Sequence, residues 1–318
     1  MVNANKTDIV KKIGLPSFVI ASSAPPFVWE VGYGIAKKFK AKFIAEFRDI
    51  WPLSLVEIQG VSPKHPLVKL FGMIEKRAYK RSDAVVSTMP YAWQHVVEVA
   101  RVPKEKVHWM ANGISVSEVS KCLMDDGRLP EELEDYLSNH RCCIYIGSIV
   151  KSEFVDFLIR GFNKVRNPDI YFAVIGEGHD KEKMQALAAE LNVRNIRFFP
   201  AIDKSLIPKA LSLVEACVSA HGSFPIYRFG LSMYKLNDYL ASGKPTVFAC
   251  DANNIVKDAG HFGIPMGDEE EFARTIEHVF DLTEEERNAL KEKAIELIAK
   301  EYDYPVIGQR YLEMMESL

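Results

Sequence analysis

The chain has 318 residues, 48% of them apolar and 26% charged, with 40 Lys and Arg against 43 Asp and Glu. This composition fits two globular domains of ordinary size, each able to bury a core. No apolar run reaches the ~18 residues that span a bilayer, and aromatic and basic residues do not interleave as they would in a nucleic-acid-binding surface.

The charge is divided unevenly along the chain. Residues 1–110 hold 17 Lys and Arg against 9 Asp and Glu, whereas residues 111–318 hold 23 against 34. This asymmetry predicts two domains with different partners. The basic half suits an anionic acceptor or an anionic membrane surface, although a solvated basic face without a partner explains it equally well.

The five cysteines show no CxxC spacing, and the eight histidines form no HExxH. Reduced, packed thiols and no metal site are therefore expected. The N-terminus lacks the continuous apolar core of a signal peptide, which predicts a cytoplasmic protein, either free or peripheral at the inner face of the cell membrane.

In the first half, apolar runs alternate with helical patterns. Strands are predicted at 17–23, 42–47, 83–89 and 106–110, and helices up to about Lys38, at 67–79 and at 90–99. This alternation predicts a parallel sheet with helices on both faces. The segment 67–81 also carries Lys76, Arg77, Lys80 and Arg81 beside apolar residues, so it could lie on an anionic membrane, but packing on its own sheet is the favoured interpretation.

Residues 114–140 have weak periodicity and many charges, and we interpret them as the connection between domains. The same alternation then resumes. Strands are predicted at 141–149, from 169, at 195–202, 215–221 and 246–249, and helices up to about Val165, at 181–191, 205–214, 233–241, 272–280, 283–300 and 306–318.

The segment 224–248, FPIYRFGLSMYKLNDYLASGKPTVF, contains a glycine turn that runs into a helix. Gly230 allows close approach of the backbone to a ligand, and the N–H groups of the first helical turn suit a diphosphate. Asp238 lies where a carboxylate can accept hydrogen bonds from ribose hydroxyls, and Lys235 lies on about the same face. The alternative is an ordinary turn with Ser232 as the helix N-cap.

Three motifs occur in order: EFRDIWP (46–52), YIGS with FAVIGEG (145–148 and 172–178), and YRFGLSMYKLNDYLASGKP (227–245). The set resembles the family-4 retaining glycosyltransferases of the GT-B fold, in particular the bacterial branch that builds O-antigen and capsule. MANGISV also resembles the Pro-Asn-Gly-Val of that family. The resemblance covers nearly the whole chain from about Ser17.

The resemblance implies an α/β, GT-B-like fold with two facing Rossmann-like domains. It predicts a partial acceptor-side domain at 1–120, a nucleotide-sugar-binding domain at 141–300, and a C-terminal helix at 301–318 that packs back on the first domain. The first domain is expected to be incomplete, because the chain begins at about the fourth strand of that domain.

The resemblance also places the site. Donor-binding positions are expected at Gly147, Ser148, Lys151, Glu177, Gly178, Gly230, Leu231, Ser232 and Asp238, and catalytic ones at Arg48, Asp49 and Lys235. His221 joins the donor-binding set because it directly precedes the glycine turn. The first acidic residue of the Glu-x7-Glu pair of the family would fall near Tyr227 or Arg228, and neither is acidic.

Each of these positions has a simpler explanation. Arg48 and Asp49 could form an ion pair at a strand end, Lys151 could be a solvated lysine, and Glu177 could be a turn residue. A lone histidine such as His221 is usually structural.

The function implied is metal-independent transfer of a hexose or N-acetylhexosamine from a UDP- or GDP-linked sugar to a glycan or polyprenyl-linked acceptor in surface-polysaccharide synthesis. Lys151, Lys235 and the Gly230 turn would stabilise the leaving diphosphate. The alternative is a non-catalytic or split protein in which a partner chain completes the first domain. An NAD-dependent enzyme is disfavoured because no G-x-G-x-x-G follows a strand.

Overall fold

The computed structural model describes residues 14–23, 25–125 and 127–318. These residues form two compact units. The first unit takes the chain up to Ala111 together with Phe224–Leu231 and Gly308–Leu318, and the second takes Asn112–Ser223 and Ser232–Ile307. The predicted nucleotide-sugar domain was continuous from 141 to 300, so the inclusion of Phe224–Leu231 in the first unit is a difference from that prediction.

The first unit is built on a parallel sheet in the order β1-β2-β3-β4. Its strands are β1 (Phe18–Ser23), β2 (Lys42–Phe47), β3 (Ala84–Ser87) and β4 (Val107–Trp109). The register pairs Ala21 with Ala45 and Ala45 with Val85. The apolar side chains of β2 and β3 are buried, as expected of strands covered on both faces.

Helices connect these strands. They are α1 (Val28–Phe39), α2 (Trp51–Leu53, which continues as a π-helical turn over Ser54–Ile58), α3 (Pro66–Arg81) and α4 (Ala92–Ala100). Helix α3 buries Phe71, Ile74 and Tyr79, and Arg77 and Arg81 bind Glu30 at 3.4 and 3.3 Å. This is the packed arrangement that the sequence favoured for the basic helix.

The second unit contains a parallel sheet in the order β10-β9-β8-β5-β6-β7. Its strands are β5 (Arg141–Ile146), β6 (Ile170–Ile175), β7 (Ile196–Phe199), β8 (Ala216–Ala220), β9 (Thr246–Ala249) and β10 (Phe262–Ile264). The strand order reverses between β5 and β8. Open α/β sheets of this kind place ligands at such a switch point, beside the carboxyl ends of the strands.

The helices of the second unit lie before, between and after these strands. They are α5 (Val116–Met124), α6 (Glu131–Asn139), α7 (Val155–Phe162), α8 (Lys181–Glu190), α9 (Ile207–Ser212), α10 (Tyr234–Ala241), α11 (Ile255–Asp258), α12 (Glu269–Asp281), α13 (Glu284–Leu297) and α14 (Tyr304–Glu316). The last helix ends in the first unit, where the Tyr311 hydroxyl donates a hydrogen bond to Glu46.

Three features differ from the sequence-based prediction. The predicted connection at 114–140 forms helices α5 and α6 of the second unit. Strand β10 and helix α11, of three and four residues, were not predicted. Helix α10 begins at Tyr234, and Met233 occupies its N-cap position without a capping side chain, so Ser232 is not the N-cap.

The predicted α/β class with two parallel sheets is confirmed. The predicted incompleteness of the first domain stays a prediction. Among the described residues, no helix combines the length and the apolarity that crossing a membrane requires.

Candidate functional site

A cleft of about 620 Å³ lies in the second unit, at the carboxyl ends of β5 and β7. Its polar lining comes from the turn after β5, the loop after β7, the start of α10 and the residue that opens the unit: Asn112, Gly147, Ser148, Glu153, Lys204, Ser232, Tyr234, Lys235 and Asp238. Ile202 and Ile207 add an apolar wall. Mixed lining of this kind suits a ligand with both a charged and an apolar part.

The side chain of Lys235 is held by two partners in this cleft. Its Nζ forms an ion pair with Glu153 and lies 3.1 Å from the hydroxyl of Tyr145. The Tyr145 hydroxyl in turn donates to the carbonyl oxygen of Ser148 at 2.7 Å. Burial lowers the pKa of Lys235, an effect that the neighbouring Glu153 carboxylate opposes. The lysine is therefore a positioned cation.

Gly147 is required by the close approach of these side chains. A Cβ at this position would lie 2.8 Å from Nζ of Lys235 and 2.9 Å from the hydroxyl of Tyr145. A side chain at this position would require the Lys235 ammonium or the Tyr145 hydroxyl to shift, so the glycine leaves room for both at the end of β5.

Asn112 fixes the start of the segment that carries Lys235. Its backbone N–H donates to Oγ of Ser232 at 3.0 Å, and its Nδ2 donates to the Ser232 carbonyl at 2.8 Å. Nδ2 of Asn237 donates to the Asn112 carbonyl at 2.7 Å. These three residues hold the loop and the helix in one arrangement.

Asp238 lines the cleft one turn beyond Lys235. Burial raises the pKa of its carboxyl to about 6, and the Lys204 cation opposes the shift. A half-buried carboxylate at a cleft wall is suited to accept hydrogen bonds from ligand hydroxyls.

The structure brings together five of the predicted site residues in this cleft: Gly147, Ser148, Ser232, Lys235 and Asp238. His221 follows β8 close to them, within electrostatic range of Glu153 and Lys235. Burial is the main cause that lowers the pKa of His221, which favours a neutral imidazole.

Glu177 and Gly178 are explained by loop packing. A Cβ at Gly178 would lie 2.1 Å from the Ile149 carbonyl oxygen, so the turn after β6 packs against the turn after β5 without room for a side chain. The Glu177 carboxylate pairs with Lys181 at 2.7 Å. Neither residue lines the cleft.

Lys151 is not part of the lining of this cleft. It is exposed and borders a separate cavity together with His179, Asp180 and Lys183. The residue of this short Lys-Ser-Glu turn that reaches the cleft is Glu153, two positions later. A 3₁₀ turn, rather than an extended loop, sends the two side chains in different directions.

Gly230 and Leu231 belong to the first unit. Gly230 has a φ of 89°, and a Cβ there would lie 2.7 Å from the Pro90 ring. The backbone N–H of Tyr91 donates to the Phe229 carbonyl at 3.0 Å. The glycine is thus explained by its packing on Pro90, and the turn that lines the cleft begins at Ser232.

Arg48 and Asp49 follow β2 in the first unit, and both are exposed. Nε of Arg48 lies 3.8 Å from the carboxylate of Glu46, which also accepts a hydrogen bond from the Ser22 hydroxyl at 2.6 Å and one from Tyr311. The carboxyl ends of β1 and β2 therefore carry a polar cluster of Ser22, Glu46, Arg48 and Tyr311, which the sequence indicated only in part.

Glu153 and Lys204 line the cleft and Tyr145 is buried beside Lys235, and the sequence singled out none of these three. Tyr145 is part of an apolar strand pattern, and the other two stand in ordinary charged loops. Asn112 had a signal, because its Asn-Gly turn resembles a motif at the end of the first domain. The other three residues can be recognised as part of the site only from the folded structure.

Comparison with known protein families shows which family the chain belongs to. The family described as "Glycosyl transferases group 1" matches residues 137–297, just over half of the chain. These residues include the two turns and the helix that form the cleft, except for Asn112. The chain belongs to the glycosyl transferases group 1.

Among curated proteins, a match of 25% identity over 79 residues links it to WcaI of Escherichia coli K12, a glycosyl transferase provisionally assigned to colanic acid biosynthesis. This match spans 25% of the chain and 19% of WcaI, about a fifth of the length of that relative.

Solved structures share the fold over nearly the whole chain. Anabaena Alr3699/HepE in complex with UDP has a TM-score of 0.74 at 13% identity, covering 99% of this chain and 82% of HepE. A glycosyltransferase of Rickettsia africae has a TM-score of 0.73 at 17% identity, covering 98% and 79%. WaaG, a glycosyltransferase involved in lipopolysaccharide biosynthesis, has a TM-score of 0.63 at 14% identity, covering 89% and 80%. These likenesses confirm the predicted GT-B-like, Rossmann-like fold.

Proposed function

We propose that this chain is a retaining glycosyltransferase that binds a nucleotide diphosphate sugar in the cleft of the second unit. The observation that carries the proposal is the placement of Lys235 and Asp238 in one cleft beside the Gly147 turn. A cation for the diphosphate and a carboxylate for the sugar hydroxyls of the nucleoside are thereby available within one site.

The chemistry assigned to these groups is electrostatic. Cleavage of the bond between sugar and diphosphate builds negative charge on the leaving phosphate, which the mostly buried Lys235 would stabilise. Lys204 supplies a second cation in the cleft lining. Retention by attack on the same face, with the leaving phosphate taking the proton of the acceptor, requires no protein nucleophile.

The acceptor is proposed to meet the strand ends of the first unit, at Arg48 and Asp49. Both side chains are exposed, and Glu46 and Tyr311 lie beside Arg48. A hexose or N-acetylhexosamine would pass to a glycan or lipid-linked glycan in surface-polysaccharide synthesis, in line with the names of WcaI and WaaG. Exposed Leu67, Leu70 and Met73 on α3 support a contact with the membrane that would carry such an acceptor.

Calorimetric titration of the 318-residue chain with UDP, GDP and their common sugar conjugates tests the proposal. Saturable binding that Asp238→Ala weakens, followed by sugar transfer or hydrolysis of the bound donor, is the expected outcome. Absence of binding to every nucleotide would reject the donor site.

A second candidate is a non-catalytic or split protein whose first unit is completed by another chain. The observation in its favour is that the outer strand β1 exposes Ile20 by 45%. An unpaired strand edge with an exposed apolar side chain favours pairing with another strand. Donor binding without any turnover, together with co-purification of a partner that restores turnover, would select this candidate.

A further inference from the structure

The cleft contains a carboxylate at the place where an anion is expected to bind. Glu153 is bonded to Nζ of Lys235, the cation proposed to hold the diphosphate. The Tyr145 hydroxyl lies near both groups, 3.1 Å from Lys235 Nζ and 3.4 Å from a Glu153 carboxylate oxygen. The protein thus places its own anion beside the ligand anion.

Geometry determines how close the two anions come. The three N–H bonds of a lysine ammonium diverge tetrahedrally, so two acceptors bound at ordinary distances lie about 4 to 5 Å apart. A phosphate oxygen that Lys235 binds therefore lies close enough to the Glu153 carboxylate for the two negative charges to repel each other. The two side chains are only 15% and 19% exposed, so solvent screens this repulsion poorly.

Glu153 and Asp238 together cancel the two cations of the cleft. The lining contains Lys204 and Lys235 as cations and Glu153 and Asp238 as carboxylates. Burial lowers the pKa of the neighbouring His221, which favours its neutral form. The cleft is thus close to charge balance when both carboxylates are ionised, so it offers no net positive charge to attract a further negative charge on a ligand.

A nucleotide sugar and its nucleoside diphosphate product differ in this respect. In the nucleotide sugar the terminal phosphate is esterified, whereas in the product it is free and carries up to one further negative charge at neutral pH. The added charge develops on the phosphate that leaves the sugar, and this phosphate is the one that Lys235 is proposed to stabilise.

We infer that Glu153 is a specificity-determining residue that disfavours the free nucleoside diphosphate relative to the nucleotide sugar and so promotes product release. This inference rests on the proposed function of the cleft. Glu153 acts by repulsion of the excess charge on the product, while its ion pair keeps Lys235 in position when the site is empty.

The test compares Glu153→Gln with the unmodified chain. Binding of UDP, UDP-glucose, GDP and GDP-mannose is measured by calorimetry at one pH and ionic strength. For the base that binds, the variant is expected to bind the nucleoside diphosphate about tenfold more tightly and the nucleotide sugar less than about threefold more tightly. Inhibition of turnover by the product should strengthen by a similar factor.

Glu296→Gln is the matched control. Glu296 lies on α13, outside the cleft, and its carboxylate pairs with Lys300. This substitution should leave all affinities unchanged. Glu153→Ala provides a second variant, and thermal unfolding checks that both remain folded. If neither variant folds, calorimetry on the unmodified chain tests the inference. Binding of the free nucleoside diphosphate tenfold more tightly than the nucleotide sugar would contradict it.

Three outcomes are distinguishable. Equal tightening of both ligands, or no change, overturns the role of Glu153 in discrimination. Weaker binding of both ligands also overturns it and shows that Glu153 only positions Lys235. If no nucleotide binds to the unmodified chain or the variants, the proposed function itself fails, and the inference fails with it.

Discussion

The cleft of the second unit and the strand ends of the first unit are both polar, but they are built differently. In the cleft, Lys235 and Glu153 are mostly buried and bonded to each other. At the strand ends, the side chain of Arg48 is 56% exposed and lies 3.8 Å from Glu46. A site whose groups are already held at fixed positions loses little entropy when its ligand binds, so the cleft is suited to one defined ligand.

Two glycines sharpen this difference. Gly147 is small because Lys235 and Tyr145 approach it within the cleft, and Gly230 is small because Pro90 approaches it within the first unit. The first glycine serves the proposed ligand site and the second serves packing. The predictions below separate the two regions by what each substitution changes.

The largest expected effect is on Lys235. Lys235→Ala removes the positioned cation and leaves Glu153 as an unpaired carboxylate in the cleft, so nucleotide affinity should fall by about a hundredfold or more. Calorimetry with the nucleotide that binds measures the loss. Lys164→Ala, which removes a lysine paired with Glu270 on the surface, is the control and should bind normally. Retained affinity in Lys235→Ala would show that the cleft is not the anion site.

Asp238→Asn should lower nucleotide affinity by about tenfold at pH 7.5, because an amide is a weaker acceptor than a carboxylate. Burial raises the pKa of Asp238 to about 6, so the unmodified chain should also bind a nucleotide sugar, whose phosphates do not titrate near this pH, less tightly as the pH falls below 6, and the variant should not. An identical pH profile for the two proteins would exclude Asp238 as the titrating group.

The same pKa shift predicts a change in stability. The raised pKa means that the folded chain binds the Asp238 proton more tightly than the unfolded chain does. The resulting stabilisation is complete below about pH 4 and is lost as the pH rises through about 6. Asp238→Asn removes this dependence, so its stability relative to the unmodified chain should increase by about 1 to 2 kcal/mol between pH 4.5 and 7.5. Urea unfolding at the two pH values measures the difference.

Gly147→Ala and Gly230→Ala should have contrasting effects. Alanine at 147 displaces Lys235 and should weaken nucleotide binding by about tenfold. Alanine at 230 adopts a positive φ against Pro90 and should cost about 1 to 3 kcal/mol of stability, with nucleotide affinity unchanged. If the Gly230→Ala variant loses nucleotide affinity under conditions in which it is folded, Gly230 contributes to the ligand site and not only to packing.

The smallest effect on donor binding is expected for Arg48→Ala. Arg48 is exposed at the end of β2, so nucleotide affinity and stability should change by less than about twofold and 0.5 kcal/mol. Sugar transfer to an acceptor should fall, by about tenfold, if the acceptor contacts this position. Lys40→Ala, an exposed cation at the opposite end of β2, is the control and should transfer normally. Unchanged transfer in Arg48→Ala would remove this residue from the proposed acceptor site.

The sequence by itself was sufficient for strands β1 to β9 and for the placement of two polar residues of the cleft on one helix. The run Lys42–Phe47 was predicted with the bounds that the structure shows, and Lys235 and Asp238 were predicted on one face of the helix that lines the cleft. Both features are local: an apolar run bounded by polar residues specifies a buried strand, and a three-residue spacing specifies one helix face.

Only the tertiary structure decided which partners these residues have. Lys235 and Glu153 are 82 positions apart, and they meet because β5 and the segment after β8 adjoin at the switch point of the sheet. The same holds for Gly230 and Pro90, and for the direction in which Lys151 points. Hydrophobic periodicity reports which face of an element is buried, but the neighbour of a charged side chain depends on strand order and on turn geometry, which are set by contacts between distant parts of the chain.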